Sequence, residues 1–245
     1  MKTDLDHTGA GYPSHRDCLP GDEVVSGSYV VRFARDQQDL DQILALRYEV
    51  FNLEMNEGLE SSHETCRDFD EYDEACHHLM VIAKQSNKVI GTYRMQTYAM
   101  ANQYRGFYSD AEFDISALDI EILNQAVELG RACVARDHRN GRVLYHLWRG
   151  VCHYLVKNSK RYFFGCCSLD SQDMNEARRL EELLEENGHC HPSLRVLPRP
   201  GYVCYEEGFV PTDNERVVLI PTLMQLYLNH GVRICSAPAI DRSFK

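Results

Sequence analysis

The sequence predicts a mixed α/β fold, of the α+β kind, in which one central sheet carries helices on its faces. Apolar runs of period two alternate with stretches of 3.6-residue period in the order β–α–β–β–β–α–β–α–β, the pattern of a sheet layered with helices. Two of those runs, Leu79 to Ala83 and Lys88 to Thr97, are split by the turn-like Gln85-Ser86-Asn87, which makes them a hairpin. With 245 residues and a hydrophobic share of 44%, the chain can bury the core of one large domain without disulfide staples.

The first 27 or so residues, rich in Gly, Pro, Asp and Ser, read as a flexible arm, so the folded domain is expected over residues 28–245. Tyr29 to Phe33 is the first strand. Asp39 then opens a helix whose apolar positions Leu40, Ile43, Leu44 and Phe51 keep the helical period, with Arg47 on the same stripe. A polar stretch from Asn56 to Cys76 leads into the hairpin. After a loop holding Gly106-Phe107-Tyr108-Ser109, a short helix near Ser116 to Leu123 precedes the strand Ala126 to Val134. The next helix carries one apolar stripe, Leu144, Leu147, Trp148, Val151 and Leu155, which assigns the single tryptophan to the core. Tyr162 to Cys166 reads as a buried strand and Gln172 to Asn187 as a charged helix. The tail reads as a strand Val217 to Ile220, a helix Thr222 to His230 and a strand Val232 to Cys235.

Composition excludes several functions. A net charge of −11 argues against nucleic-acid binding, which needs a basic surface. One island runs the other way: Arg131, Arg136, Arg139, Arg142, Arg149, Lys157, Lys160 and Arg161 face the single acid Asp137. That island suits either a solvated helix face or a dock for something acidic. The apolar runs are too short to cross a bilayer and the start lacks the apolar region of a secretory signal, so a cytoplasmic location is expected. The ten cysteines are scattered without a CxxC pair and read as reduced thiols, Cys166 and Cys167 at a buried strand end. His77, His78, His189, Cys190 and His191 lack convergent zinc spacing, and no metal is expected.

The chemistry is carried by charges in apolar surroundings. Arg47 lies on the inward stripe of its helix, where a guanidinium is costly unless paired. Asp68, Asp70 and Asp73 of RDFDEYD are the candidate partners. Glu128 and Arg131 interrupt the strand Ala126 to Val134, and Arg94 interrupts the strand before it. Strict alternation puts Glu128 and Arg131 on opposite faces, and a bulge at Leu129-Gly130 would bring both to one, Gly130 being the residue type that tolerates it. Periodicity alone leaves a structural ion-pair network as an alternative.

Spacing adds a resemblance. Arg47-x-x-x-Phe51, Asp70-x-x-Asp73, Arg94 and Glu128-x-x-Arg131 resemble the charged signature of acyl-homoserine lactone synthases, enzymes of the GNAT superfamily. The segments RYEVFNLEM, FDEYD, HHLMV, VIGTYRMQT, GFYSDAEFDIS, ELGRACV, HLWRGV, FFGCCSL and PAIDRSF resemble more closely the ornithine acyl carrier protein N-acyltransferases and the N-acyl amino acid synthases of bacteria. The resemblance covers about Tyr29 to Phe244. It implies a bacterial protein with the GNAT-type fold, a mixed sheet with splayed central strands. It also implies a transfer of a long-chain acyl group from a carrier thioester to an amino acid's amine, with no permanently bound cofactor.

Carried onto this sequence, the resemblance makes Glu128 the general base, with Arg131 orienting it or the acceptor carboxylate. Backbone amides near Gly130 would hold the oxyanion, and Arg47, Asp70, Asp73 and Arg94 would shape the acceptor side. Phe51, Phe107 and Tyr108 are expected at the acyl pocket. Acetyl-CoA-dependent members hold pyrophosphate on an R-x-x-G-x-G/A loop, yet here Arg142 and Leu144 fall where glycines belong. That departure favours acyl carrier protein, docked on Arg136, Arg139, Arg142 and Arg149, over acyl-CoA as donor. Relatives continue beyond PAIDR-F where this chain ends at Lys245, which reads either as a truncated form lacking a final strand or as a short variant. A fatty product leaves peripheral contact with the inner membrane face open. The competing readings are an acyl-homoserine lactone synthase, disfavoured because Asn52 to Leu59 holds no tryptophan, and a non-catalytic carrier-protein or lipid-binding module.

Overall fold

A computed structural model describes residues 11–169, 171–212 and 218–240. These residues fall into two compact units, and each is described separately. The first comprises residues up to Phe107 and Glu121–Gly165, the second Tyr108–Ile120 and the residues from Cys166 onward.

The first unit holds a six-stranded sheet in sequential order: β1 (Val24–Ser26), β2 (Tyr29–Phe33), β3 (His77–Ala83), β4 (Lys88–Thr97), β5 (Ala126–Val134) and β6 (Tyr162–Phe164). β1 to β5 form an antiparallel meander, while β6 joins β5 in parallel. The reversal follows from the crossover helix between them, since parallel neighbours need a long connection. Helix α1 (Gln37–Arg47) runs on into a π-helical segment, Tyr48–Glu54. Two short helices, α2 (Ser62–Thr65) and α3 (Tyr98–Gln103), precede α4 (Ile120–Asn124), and α5 (Arg142–Lys157) is the crossover.

The hairpin β3–β4 and strand β5 match the sequence expectation closely. Asp36 caps α1 by accepting from the Asp39 amide, so the helix starts two residues before the expected Asp39. Asp39 instead takes a bidentate pair from Arg32 at 2.6 and 2.7 Å. On α5 the buried stripe is Val143, Leu147, Gly150, Val151 and Tyr154, and Trp148 sits at its half-buried edge. The stripe is rotated because α5 approaches closely through glycine: a Cβ on Gly150 would lie 2.5 Å from Leu79 Cδ2, and one on Gly91 2.7 Å from Val143 Cγ1.

Of the stretch read as an arm, residues 11–27 take defined positions. Val24–Ser26 adds a strand to the sheet edge, and the Tyr12 hydroxyl and Ser14 carbonyl reach His78 and His77 on β3. The strand expected as buried over Tyr162 to Cys166 is shorter and open to solvent, with Tyr162 and Phe163 exposed. Among the described residues it is the last strand in the order and has one neighbour, so only one edge is paired. Cys166 and Cys167 are likewise exposed rather than buried.

In the second unit, α6 (Met174–Glu186) and α7 (Thr222–Asn229) bury Leu180, Leu184, Met224 and Leu228 against each other. The helix expected near Ser116 resolves into a 3-10 turn, Ile115–Ala117, followed by α4. Residues 218–220 are irregular and Val217 lies outside the described residues, as does most of the final PAIDRSF. The expected strand Val232 to Cys235 is reduced to a single bridge from Ile234 to Cys190. No helix among the described residues is long and apolar enough to cross a membrane.

Candidate active site

Alternation along β4 places Thr92, Arg94 and Gln96 on one face of the sheet, and their register partners on β5 are Cys133, Gly130 and Glu128. α1 covers this face, where Ile43, Leu46 and Val50 pack with Met80 and Cys133. α5 covers the opposite face through the glycine contacts at Gly91 and Gly150.

The pairing of β4 with β5 is interrupted by a bulge. From Thr92 to Arg94 the partner strand runs from Cys133 to Gly130, one residue more, and Arg131 takes a φ of 48°. The bulge therefore lies at Arg131-Ala132, not at Leu129-Gly130 as expected. Gly130 keeps its register with Arg94. A left-handed arginine costs about 1–2 kcal/mol. Its guanidinium offsets that by donating to Asp70 Oδ2 at 3.1 Å, an anchor that glycine lacks. The outcome matches the expectation even though the position does not. Arg131 is turned to the face of Arg94, since both reach Asp70, and Glu128 shares it.

The ion pairs then assemble as follows. Arg47, wholly enclosed, donates to Asp73 at 2.6 Å and to Asp68 at 2.5 Å. Arg94 donates to Asp70 at 2.6 Å and to Asp73 at 3.1 Å. Three arginines thus face three aspartates, and the cluster is neutral. Burial works against the charge on Arg47, but Asp73 and Asp68 outweigh it and raise the guanidinium above its usual range. Burial likewise pushes the Asp73 carboxyl up, yet Arg47, the His78 hydrogen bond and Arg94 hold it well below the ordinary carboxylate range.

His78 closes the back of the network. Its Nε2–H donates to Asp73 at 3.2 Å, which leaves Nδ1 to accept from the Tyr12 hydroxyl at 2.7 Å. Burial depresses the His78 pKa and the ring stays neutral. Sequence periodicity named His78 only as a non-metal residue, because the contact depends on a segment 66 residues away.

Glu128 is 6% exposed and lies across from Gln96. It is also paired with Phe164, the last register pair between β5 and β6. Beyond that pair Gly165 presses on the β5 backbone, where a Cβ would come 2.2 Å from the Leu129 carbonyl oxygen. The remaining residues read from sequence are spread more widely. Phe51 packs on the α1 core, and Phe107 is buried with its ring edge-on to Phe164 at 5.0 Å. Tyr108 opens a 3-10 turn of the second unit. Arg136, Arg139, Arg142 and Arg149 are exposed, but Arg139 is committed to Glu54 at 2.6 and 2.9 Å and Arg149 lies over the Tyr145 ring. Among the described residues, no group of three or more His, Cys, Asp or Glu has the geometry of a metal site.

A mixed sheet with helices on both faces, a bulged β5 and a buried carboxylate on it is the architecture of a GNAT-type N-acyltransferase, an enzyme that gives an acyl group to an amine. Residues 46–149 match the family described as acetyltransferase (GNAT) domain. The chain is 31% identical over 231 residues to the L-ornithine N(alpha)-acyltransferase of Agrobacterium fabrum, covering 89% of this chain and 78% of that one. To the enzyme of the same name from Brucella abortus it is 30% identical over 240 residues, covering 91% and 84%. Among solved structures, the AHL synthase LasI aligns over 66% of this chain and 79% of its own with a TM-score of 0.41 and 15% identity. The chain belongs to the L-ornithine N(alpha)-acyltransferase family.

Proposed function

We propose that this enzyme transfers a long-chain acyl group from the phosphopantetheine thioester of acyl carrier protein to the α-amine of ornithine. The observation that carries the reading is Glu128, a buried carboxylate beside a neutral ion-pair cluster, at the last register pair between β5 and β6. In the proposed step the ammonium of the acceptor loses a proton to Glu128, directly or through a water. The amine nitrogen bonds to the carbonyl carbon, the C–S bond breaks, and the thiolate leaves with the second proton that the nitrogen sheds as it becomes an amide. Backbone amides at the bulge by Gly130 and Arg131 are the candidates for the oxyanion.

The network divides by exposure. Arg47, Asp68 and Asp73 are enclosed and position the rest, while Asp70 and Arg131, at 13% and 12% side-chain exposure, offer one charge of each sign to the acceptor. An amino acid with a cationic side chain and a carboxylate suits that pair. Acyl carrier protein as donor is supported by the α5 N-terminus, where Asn140 Oδ1 already accepts from the Arg142 amide at 3.1 Å. An amide so engaged is withdrawn from a pyrophosphate, whereas exposed Arg136 and Arg142 suit an acidic protein surface.

The test is mass spectrometry of products after incubation with long-chain acyl carrier protein, or with the matching acyl-CoA, and a pool of amino acids. N-acyl-ornithine from the wild type is expected, and a fall in kcat of about 10²–10⁴-fold in Glu128→Gln at unchanged melting temperature. No N-acyl product from the folded wild type, or full activity in the variant, overturns the proposal.

A further inference from the structure

The side chain of Gln96 is 1% exposed, and neither its Nε2 nor its Oε1 has a hydrogen-bond partner. A buried amide left unmatched on both atoms is costly, and β4 gains nothing structural from it that methionine or leucine would not supply. Its place on the strand makes the cost informative. Gln96 is two residues from Arg94, on the same face, and is the cross-strand partner of Glu128. Directly opposed residues on antiparallel strands hold their Cβ atoms about 4.5–5.5 Å apart, so the amide lies beside the proposed base.

An amide side chain offers one donor and one acceptor group side by side. The α-amino acid end of an acceptor offers the reverse: a carboxylate that accepts, and an amine whose remaining N–H donates. We infer that Gln96 binds the α-amino acid end of the acceptor, Nε2–H donating to its carboxylate and Oε1 accepting from its amine. This rests on the acyltransfer reading above and deepens it, because it assigns the residue that selects an amino acid over a plain amine. Arg94 is committed to Asp70 and Asp73, and Arg131 shares its charge between Asp70 and the acceptor, so a directional neutral group completes the recognition of the carboxylate. It also aims the amine lone pair, since an amine held through its N–H by Oε1 stands beside Glu128.

The experiment compares wild type and Gln96→Met for acylation of ornithine and of 1,4-diaminobutane, which is ornithine without its carboxylate. The wild type is expected to favour ornithine strongly. In Gln96→Met the KM for ornithine should rise about tenfold or more, the KM for the acyl donor should stay put, and the preference over the diamine should collapse. Melting temperature should hold or rise, because the substitution removes an unmatched buried amide. An unchanged ornithine KM and preference in folded Gln96→Met overturns the inference, as does equal loss with both amines. Should the variant fail to fold, the side-chain amide resonances of Gln96 in isotope-labelled wild type decide: a saturable shift with ornithine but not with the diamine is expected, and no shift refutes it. If the wild type makes no product, the acyltransfer reading fails first, which separates the two.

Discussion

Replacing Arg47 by methionine tests whether the cluster is held by charge balance. The side chain is fully enclosed, so methionine fills most of its volume without new solvent contact. The cluster then holds two arginines against three aspartates. Asp73 keeps Arg94 at 3.1 Å and His78 at 3.2 Å, but Asp68 is left with Arg131 Nε at 3.8 Å. Removing one member of a buried pair costs about 3–5 kcal/mol, most of it from the stranded charge. For a chain of this size each kcal/mol shifts the melting temperature by about 2–4 °C, so a drop of roughly 6–20 °C is expected at pH 7. Arg47→Met combined with Asp68→Asn restores two against two and should recover half or more of the loss. Urea and thermal melts of the wild type, single and double variants measure this. A single variant within about 1 kcal/mol of wild type, or a double variant no better than the single, would refute the argument.

Two further outcomes follow from packing and protonation. Gly150→Ala should destabilise by about 1–3 kcal/mol in urea melts, because its Cβ would meet the side chain of the enclosed Leu79 at 2.5 Å; an unchanged midpoint would mean that α5 can slide. Burial lowers His77 to a pKa of about 4, with Nε2–H donating to the Ser14 carbonyl and Nδ1 accepting from Tyr154. Below its ordinary value near 6.5 the unfolded chain binds the proton that the folded one refuses. Stability should therefore fall as the pH drops from 6.5 towards 4, by up to about 3 kcal/mol from this residue, as melts across that range would show. His78, depressed by burial too, adds in the same direction.

The site was legible in the sequence to the extent that it contradicts its own periodicity. Arg47, Arg94 and Glu128 stand where alternation or the helical period calls for apolar side chains, and each turned out enclosed. Arg131 was legible as a charge but not as a bulge, because the rule that gives left-handed backbone to glycine favoured Gly130. What overrode the rule was Asp70, 61 residues away in sequence. The same limit hid Tyr12 and His78: a Gly- and Pro-rich stretch is loose by composition, yet one hydroxyl and one carbonyl fasten it to β3. The buried reading of Tyr162 to Cys166 failed for a different reason, since apolar content does not say whether a strand has one neighbour or two.

Gln96 shows where such reading stops and why the structure goes further. In sequence it is one polar residue in an otherwise plausible strand, indistinguishable from a solvent-facing position of period two. Only burial, an absent partner on both polar atoms, and the cross-strand place of Glu128 together make it anomalous. The enclosed part of the cluster, Arg47 with Asp68 and Asp73, is balanced in charge, with only Arg47 Nε and Asp68 Oδ2 unmatched at its margin, and can be explained as structure alone. An unmatched amide cannot be explained that way, because stability by itself would favour its replacement. A binding group is expected to look like this before its ligand arrives. Its position next to the only carboxylate on β5 would, in the proposed roles, join recognition of the acceptor to removal of its proton in a single cross-strand pair.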